Sequence, residues 1–148
     1  MAPNPFRSLE ESTIWTMAPT PELQPPPCTD TLLSFPSQHI LLVTLDRPGK
    51  ANCYTRQMSW DLDALWRWFD NEPSLRVAVI TGVGDKAFCG GSDLLEIRDM
   101  QASPDLQQRY VMPPTGSAGL SRRRGKKPVI AAVNGLALGG GFEIALNW

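Results

Sequence analysis

Pro128-Val129-Ile130-Ala131-Ala132-Val133-Asn134-Gly135-Leu136-Ala137-Leu138-Gly139-Gly140-Gly141-Phe142-Glu143 decides how this chain is read. Val129 to Val133 is an apolar run with the length of a buried strand. A tight turn follows, and from Gly139 onward three glycines open a helix with the carboxylate of Glu143 one turn in. The first N–H groups of a helix have no intrahelical partner and carry partial positive charge. Glycine, lacking a Cβ, lets another group approach that backbone closely. The stretch therefore reads as a place for a phosphate or a developing oxyanion, with an acid beside it. It reads as readily as a glycine-rich turn that only permits tight packing. Glu143 would then sit there for its charge–dipole interaction, worth ~0.3–1 kcal/mol. The pattern has neither the Lys-Ser/Thr of a phosphate-binding P-loop nor the G-x-G-x-x-G spacing of a dinucleotide site.

A second glycine-containing loop lies upstream, in Asp85-Lys86-Ala87-Phe88-Cys89-Gly90-Gly91-Ser92-Asp93-Leu94. It follows Arg76 to Thr81, whose continuous apolar run predicts a strand buried on both faces. It precedes a helix, so its backbone can also present N–H groups. Ser92 is not the nucleophile of a G-x-S-x-G elbow and has no histidine partner. Ser92 or Asp93 as a helix N-cap is the simpler local reading. The basic run Arg122-Arg123-Arg124-Gly125-Lys126-Lys127 could meet ligand phosphates, but a solvated cluster ending a helix accounts for it more simply.

Further out, Thr31–Phe35 and Ile40–Leu45 are predicted strands split by Pro36. Thr55 caps a helix running to about Asp70, with Met58, Leu62, Leu65, Trp66 and Phe69 at helical spacing. Trp60, Trp66 and Trp68 on that helix fit packing better than a ligand cage. Asn71-Glu72-Pro73 ends it. Residues 93 to 123 are predicted helical in pieces, broken by Pro104 and by Pro113-Pro114. Alternating strands and helices give an α/β layered fold with parallel pairing. Residues 1–28 hold half of the 14 prolines and show no periodicity, which predicts an irregular, disordered arm.

The 148 residues set one domain as the starting expectation, and the net charge of −1 asks for neither nucleic acid nor a membrane surface. No apolar run reaches the roughly 18 residues of a membrane span. Cys28, Cys53 and Cys89 are scattered, odd in number and without metal spacing, which fits a reduced intracellular compartment. His39 is the only histidine, which removes most Ser-His-Asp and Cys-His schemes and most zinc sites. A mitochondrial leader would be rich in arginine and poor in acids. The first residues hold Arg7 but also Glu10, Glu11 and Glu22, and no apolar signal-peptide core follows Met1. Peroxisome or cytoplasm is therefore expected before mitochondrion.

Four segments, in order, resemble the enoyl-CoA hydratase/isomerase (crotonase) family. They are Leu45-Asp46-Arg47-Pro48 with Asn52, Val77 to Gly82, Ala87 to Leu94, and Lys127 to Glu143. The resemblance covers about residues 30 to 147. It implies a crotonase-like spiral of ββα repeats, read here as cut short before its C-terminal part, so that residues 29–148 form a partial acyl-CoA-binding domain. It implies that two backbone N–H groups, those of Ser92 and Gly140, polarise a thioester carbonyl and stabilise its enolate. Ser92, Asp93, Leu94, Leu95 and Gly140 would line the CoA moiety. Glu143 would be catalytic, working in hydratases with a second glutamate further along the chain, beyond Trp148. The implied reaction is syn addition of water to a trans-2-enoyl-CoA. An isomerase of the same family, or a non-catalytic truncated product without the second glutamate, is the alternative. Gly90 departs from a usual alanine, and after Leu146 the family usually continues with small residues, an Asp and another strand where this sequence has Asn147-Trp148; Ser92 stands where the family often has alanine, which a backbone donor tolerates. No cofactor or metal is expected beyond the coenzyme A of the substrate, and full-length relatives of this kind form trimers or hexamers.

Overall fold

The computed structural model describes residues 21–102 and 111–146. Strand β1 (Thr31–Ser37) and strand β2 (Ile40–Leu45) form an antiparallel hairpin with Thr31 opposite Leu45. Pro36 does not end β1 as expected. The strand runs on to Ser37, with a shift of register between Ser34 and Ser37. β1 lies at the sheet edge, where a residue without an N–H is tolerated.

Helix α1 (Arg56–Asn71) leads from β2 to strand β3 (Val77–Gly82), which pairs with β2 in parallel, Ile40 opposite Val77 and Leu45 opposite Gly82. Parallel neighbours need such a crossover. Thr55 caps α1 as predicted, its Oγ1 accepting from Met58 N at 3.1 Å. Met58, Leu62, Leu65, Trp66 and Phe69 are each at most 1 % exposed and share one core with Leu41, Val43 and Leu45 of β2 and Ala78 and Ile80 of β3.

Strand β4 (Ala87–Cys89) and helix α2 (Leu94–Ala102) follow, then strand β5 (Val129–Ala131), strand β6 (Leu136–Ala137) and helix α3 (Gly140–Leu146). The main sheet has the order β1-β2-β3-β5, and β4 with β6 makes a second, two-stranded parallel sheet. The α/β layering is as read from the sequence, with three corrections. β3 is not buried on both faces: Ala78 and Ile80 are sealed, whereas Val77, Val79 and Thr81 are only partly covered. The strand read as Val129–Val133 ends at Ala131, and its Ile130 is 54 % exposed. Residues 111–123 are not helical in pieces but carry a single 3-10 turn, Ser117–Gly119, flanked by the positive φ of Gly116. Pro104 lies outside the described residues.

Residues 21–30 hold no helix or strand yet are tied to α1 and its end. Glu22 N and Leu23 N donate to the Glu72 carboxylate at 3.1 and 2.6 Å, and Thr29 N donates to Asp61 Oδ2 at 2.9 Å. The rest of the predicted arm lies outside the described residues.

Candidate active site

The two glycine-rich loops lie against each other because β4 and β6 pair in parallel. Leu136 N donates to Lys86 O at 3.0 Å and Leu138 N to Cys89 O at 3.0 Å. Past these strands both chains turn, and Gly91 (φ +90°) packs directly on Leu138–Gly140.

Two asparagines hold the loops in place. Asn52, 1 % exposed, accepts from Arg47 N through Oδ1 at 3.0 Å and donates through Nδ2 to Val83 O and Ala87 O at 3.0 and 2.8 Å. Asn134 donates to Gly82 O and Gly84 O at 2.7 and 2.6 Å, and accepts from Gly82 N and Thr81 Oγ1, both at 3.1 Å. Asn52 satisfies backbone groups at strand ends that would otherwise be stranded from water, and Asn134 ties the end of β3 to the segment after β5. Tyr54 adds a bridge to the donor loop, with Tyr54 N donating to Gly91 O and Asp93 N to Tyr54 O, both at 2.9 Å.

Among the described residues, the N–H groups of Ser92 and Gly140 donate to no backbone or side-chain acceptor. By contrast Asp93 N is taken by Tyr54 O. Leu95 N and Glu96 N are taken by Asp93 Oδ1 at 3.0 and 3.3 Å, so the N-cap of α2 is Asp93 rather than Ser92. Of the residues expected at the CoA moiety, Leu94 and Leu95 are 75 % and 45 % exposed, while the Asp93 side chain is buried and engaged with Arg47. Leu138 and Phe142, flanking the glycines, are 55 % and 52 % exposed. The arrangement offers two amides without an acceptor among the described residues, with exposed apolar side chains near them in sequence.

Gly140 has no side chain because there is no room for one: a Cβ there would overlap the Tyr54 hydroxyl and lie 2.8 Å from Ser117 Oγ. Ser92 Oγ donates to that same tyrosine hydroxyl at 3.2 Å, so it is engaged rather than poised as a nucleophile. Burial pushes the Tyr54 phenol above its ordinary value of 10.0, and hydrogen bonds with Ser117 and Ser92 only partly offset this. It therefore stays protonated at neutral pH. Glu143 stands on the first turn of α3 and accepts from Ser117 Oγ at 2.6 Å. The Tyr54 and Ser117 hydroxyls thus lie against Gly140, with Ser92 hydrogen-bonded to the first and Glu143 to the second.

Sequence reasoning missed Tyr54 and Ser117. Their partners lie 38 and 26 residues away, beyond any local pattern. The one available signal for Ser117 was its position between Gly116 and Gly119, a pair suited to a sharp turn.

The basic run divides in two. Arg123 pairs with Asp70 at 2.6 Å, and Lys127 Nζ donates to Phe69 O at 2.8 Å and to Glu72 O. Burial lowers the Lys127 pKa from its ordinary value of 10.5. Arg122, Arg124 and Lys126 face solvent. Among the described residues no cluster of three or more His, Cys, Asp or Glu could hold a metal, and no helix is long and apolar enough to cross a membrane.

Residues 36–147 match the family model described as enoyl-CoA hydratase/isomerase. The mevalonyl-coenzyme A hydratase of Beauveria bassiana is 53 % identical over 128 residues, which is 83 % of this chain and 45 % of that protein. The carnitinyl-CoA dehydratase of Escherichia coli is 47 % identical over 108 residues, covering 72 % of this chain and 39 % of the relative. A crystal structure of carnitinyl-CoA hydratase from Mycobacterium avium superposes with a TM-score of 0.68 at 35 % identity, covering 80 % of this chain and 43 % of that one. The chain thus spans less than half the length of the relatives it matches, and the expected crotonase-like architecture is found over that span.

Proposed function

This chain belongs to the enoyl-CoA hydratase/isomerase family, and on that premise we propose that it supplies the thioester-binding half of a CoA-thioester hydratase. The observation that carries this reading is the pairing of two unengaged amides, Ser92 N and Gly140 N, on loops locked together by β4 and β6. Preorganised N–H donors aimed at a carbonyl oxygen stabilise the charge that develops there, each contributing about 10²–10³ in rate.

In the proposed reaction the thioester carbonyl of an enoyl-CoA lies between the two amides. Water oxygen bonds to Cβ as one of its O–H bonds breaks and that proton passes to a carboxylate, and the electrons of the double bond shift to give an enolate held by the amides. A proton then arrives at Cα. Glu143, next to the Gly140 amide, moves one of these protons. Glu143 accounts for one part of the proton traffic, and the second carboxylate that the family resemblance implies would account for the other. The names of the relatives, a mevalonyl-coenzyme A hydratase and a carnitinyl-CoA dehydratase, support hydration or its reverse as the reaction type. They favour it over double-bond isomerisation, which would need only one carboxylate.

The test is hydration of an unsaturated CoA thioester, crotonyl-CoA, by the full-length protein that carries these residues, followed as loss of the conjugated-thioester absorbance. The expected result is turnover that falls about 10²–10⁴-fold in Glu143→Gln, the usual worth of a positioned acid or base. Turnover unaffected by that change, or isomerisation without hydration, overturns the reading.

A further inference from the structure

Glu143 sits on the outer side of a short helix turn and is exposed, a setting in which a carboxylate ordinarily samples several rotamers. Here its Oε2 is met by the hydroxyl of Ser117 at 2.6 Å. Ser117 is only 8 % exposed and belongs to a turn whose backbone is costly to hold. Ala118 has φ +48°, between Gly116 at +81° and Gly119 at +69°. A left-handed alanine is strained and persists only where its surroundings over-determine it.

The surroundings do so. Trp66 Nε1, from the middle of α1, donates to Ala118 O at 2.9 Å. Gly119 packs so closely on α1 that a Cβ there would lie 2.7 Å from Asp63 Cα. Ser121 Oγ accepts from Ser117 N at 2.8 Å, and Thr115 Oγ1 donates to Asp63 Oδ1 at 2.5 Å. The Ser117 hydroxyl also lies within hydrogen-bonding reach of the Tyr54 hydroxyl. A strained turn clamped to the central helix therefore aims one hydroxyl at one carboxylate oxygen, beside the Gly140 amide.

We propose that Ser117 is a positioning residue for the reaction, its clamped hydroxyl holding the Glu143 carboxylate in the orientation from which it exchanges a proton with substrate. This rests on the hydratase reading above. Small misplacements of a reacting group cost up to roughly 10²-fold in rate, so the hydroxyl is expected to act on turnover rather than on substrate affinity.

The experiment measures kcat and KM for crotonyl-CoA in the full-length protein carrying Ser117→Ala, Ser117→Thr and Ser117→Cys, each also combined with Glu143→Gln. Ser117→Ala and Ser117→Cys are expected to lower kcat about 10- to 100-fold with little change in KM. Ser117→Thr, which keeps the hydroxyl, retains most activity. In the Glu143→Gln background the Ser117 changes add nothing further to the loss of turnover, because a positioning hydroxyl acts on turnover through that carboxylate. A structural role for Ser117 would instead lower activity equally in both backgrounds. Ser117→Cys, close to isosteric, keeps the comparison decisive if the alanine variant does not fold. Unchanged kcat in Ser117→Ala or Ser117→Cys, or effects that multiply with Glu143→Gln, overturn the proposal alone. A wild-type protein that hydrates no thioester overturns the hydratase reading and this proposal with it.

Discussion

Arg47 and Asp93, 46 residues apart, meet at 2.8 Å through Nη2 and Oδ2, with side chains only 15 % and 10 % exposed. The same guanidinium donates to Cys53 O at 2.6 Å and approaches Asp30 at 3.3 Å. Asp93 in turn caps α2 through its other oxygen. The ion pair fixes the loop that carries the Ser92 amide to the start of the Arg47–Asn52 segment. It ties together two of the four segments that carry the family resemblance.

Asp93 stability linkage is the first prediction. Burial opposes ionisation of Asp93, but the Arg47 hydrogen bond and the Glu96 and Leu95 amides outweigh it and hold its pKa below the ordinary 3.8. A depressed native pKa gives stability that is present above the unfolded-state value and lost as pH falls through the native one. Asp93→Ala should cost about 3 kcal/mol at neutral pH by leaving Arg47 with a weaker partner set. In Asp93→Asn, urea midpoints measured from pH 5 downward should fall less steeply than in wild type. Parallel curves would remove the pair from the stability account.

Gly91→Ala addresses the contact between the two amide loops. Gly91 holds φ +90°, and a Cβ there would lie 2.8 Å from Leu138 O and 3.2 Å from Gly140 N. The substitution imposes both left-handed strain and a clash with backbone. It should destabilise by more than ~1 kcal/mol and separate the two donors, lowering turnover by about 10²-fold, the value of one misplaced oxyanion donor. Thermal denaturation and crotonyl-CoA kinetics on the same preparation measure both.

Asn52→Asp is nearly isosteric, yet it replaces two donated hydrogen bonds with a carboxylate facing Val83 O and Ala87 O. Leaving those carbonyls unsatisfied costs about 1–3 kcal/mol. Asn52→Asp should be at least as damaging as Asn52→Ala in chemical denaturation. A milder effect for aspartate would show that the donated bonds contribute little.

The thiols give an alkaline prediction. Burial raises the Cys89 and Cys28 pKa values to about 11, with the charge of Asp61 adding to the effect at Cys28. A raised native pKa gives stability that is complete below the ordinary 9.0 and lost as pH rises through about 11. Native protein should therefore lose stability between those values, and Cys89→Ala should flatten the loss. At pH 8 both thiols should alkylate slowly in the native state and rapidly in urea.

Sequence periodicity carried the elements whose pattern is local. The stripe Met58, Leu62, Leu65, Trp66, Phe69 and the Thr55 cap placed α1 to within a residue or two, because both signals lie inside the helix itself. The run Val77–Ile80 looked two-sided because valine fills partly covered positions as readily as buried ones. β4 and β6 have three and two residues, too few to show any alternation, yet they are what brings the two amide loops together. The glycine triplet was legible as a helix start, which α3 at Gly140–Leu146 bears out. Its lining was not, since Tyr54 and Ser117 reach it only through the folded packing of α1.

Enolate formation on a bound β-keto thioester isolates the amide pair from proton transfer to the double bond. Acetoacetyl-CoA, a β-keto thioester, forms an enolate with its own ultraviolet absorbance, and donors aimed at the thioester oxygen stabilise that enolate. Titrating it into the full-length protein should raise the enolate absorbance saturably at neutral pH. The rise should persist in Glu143→Gln and be lost or strongly weakened in Gly91→Ala. Saturable binding with no enolate signal would contradict an oxyanion pocket built from Ser92 and Gly140.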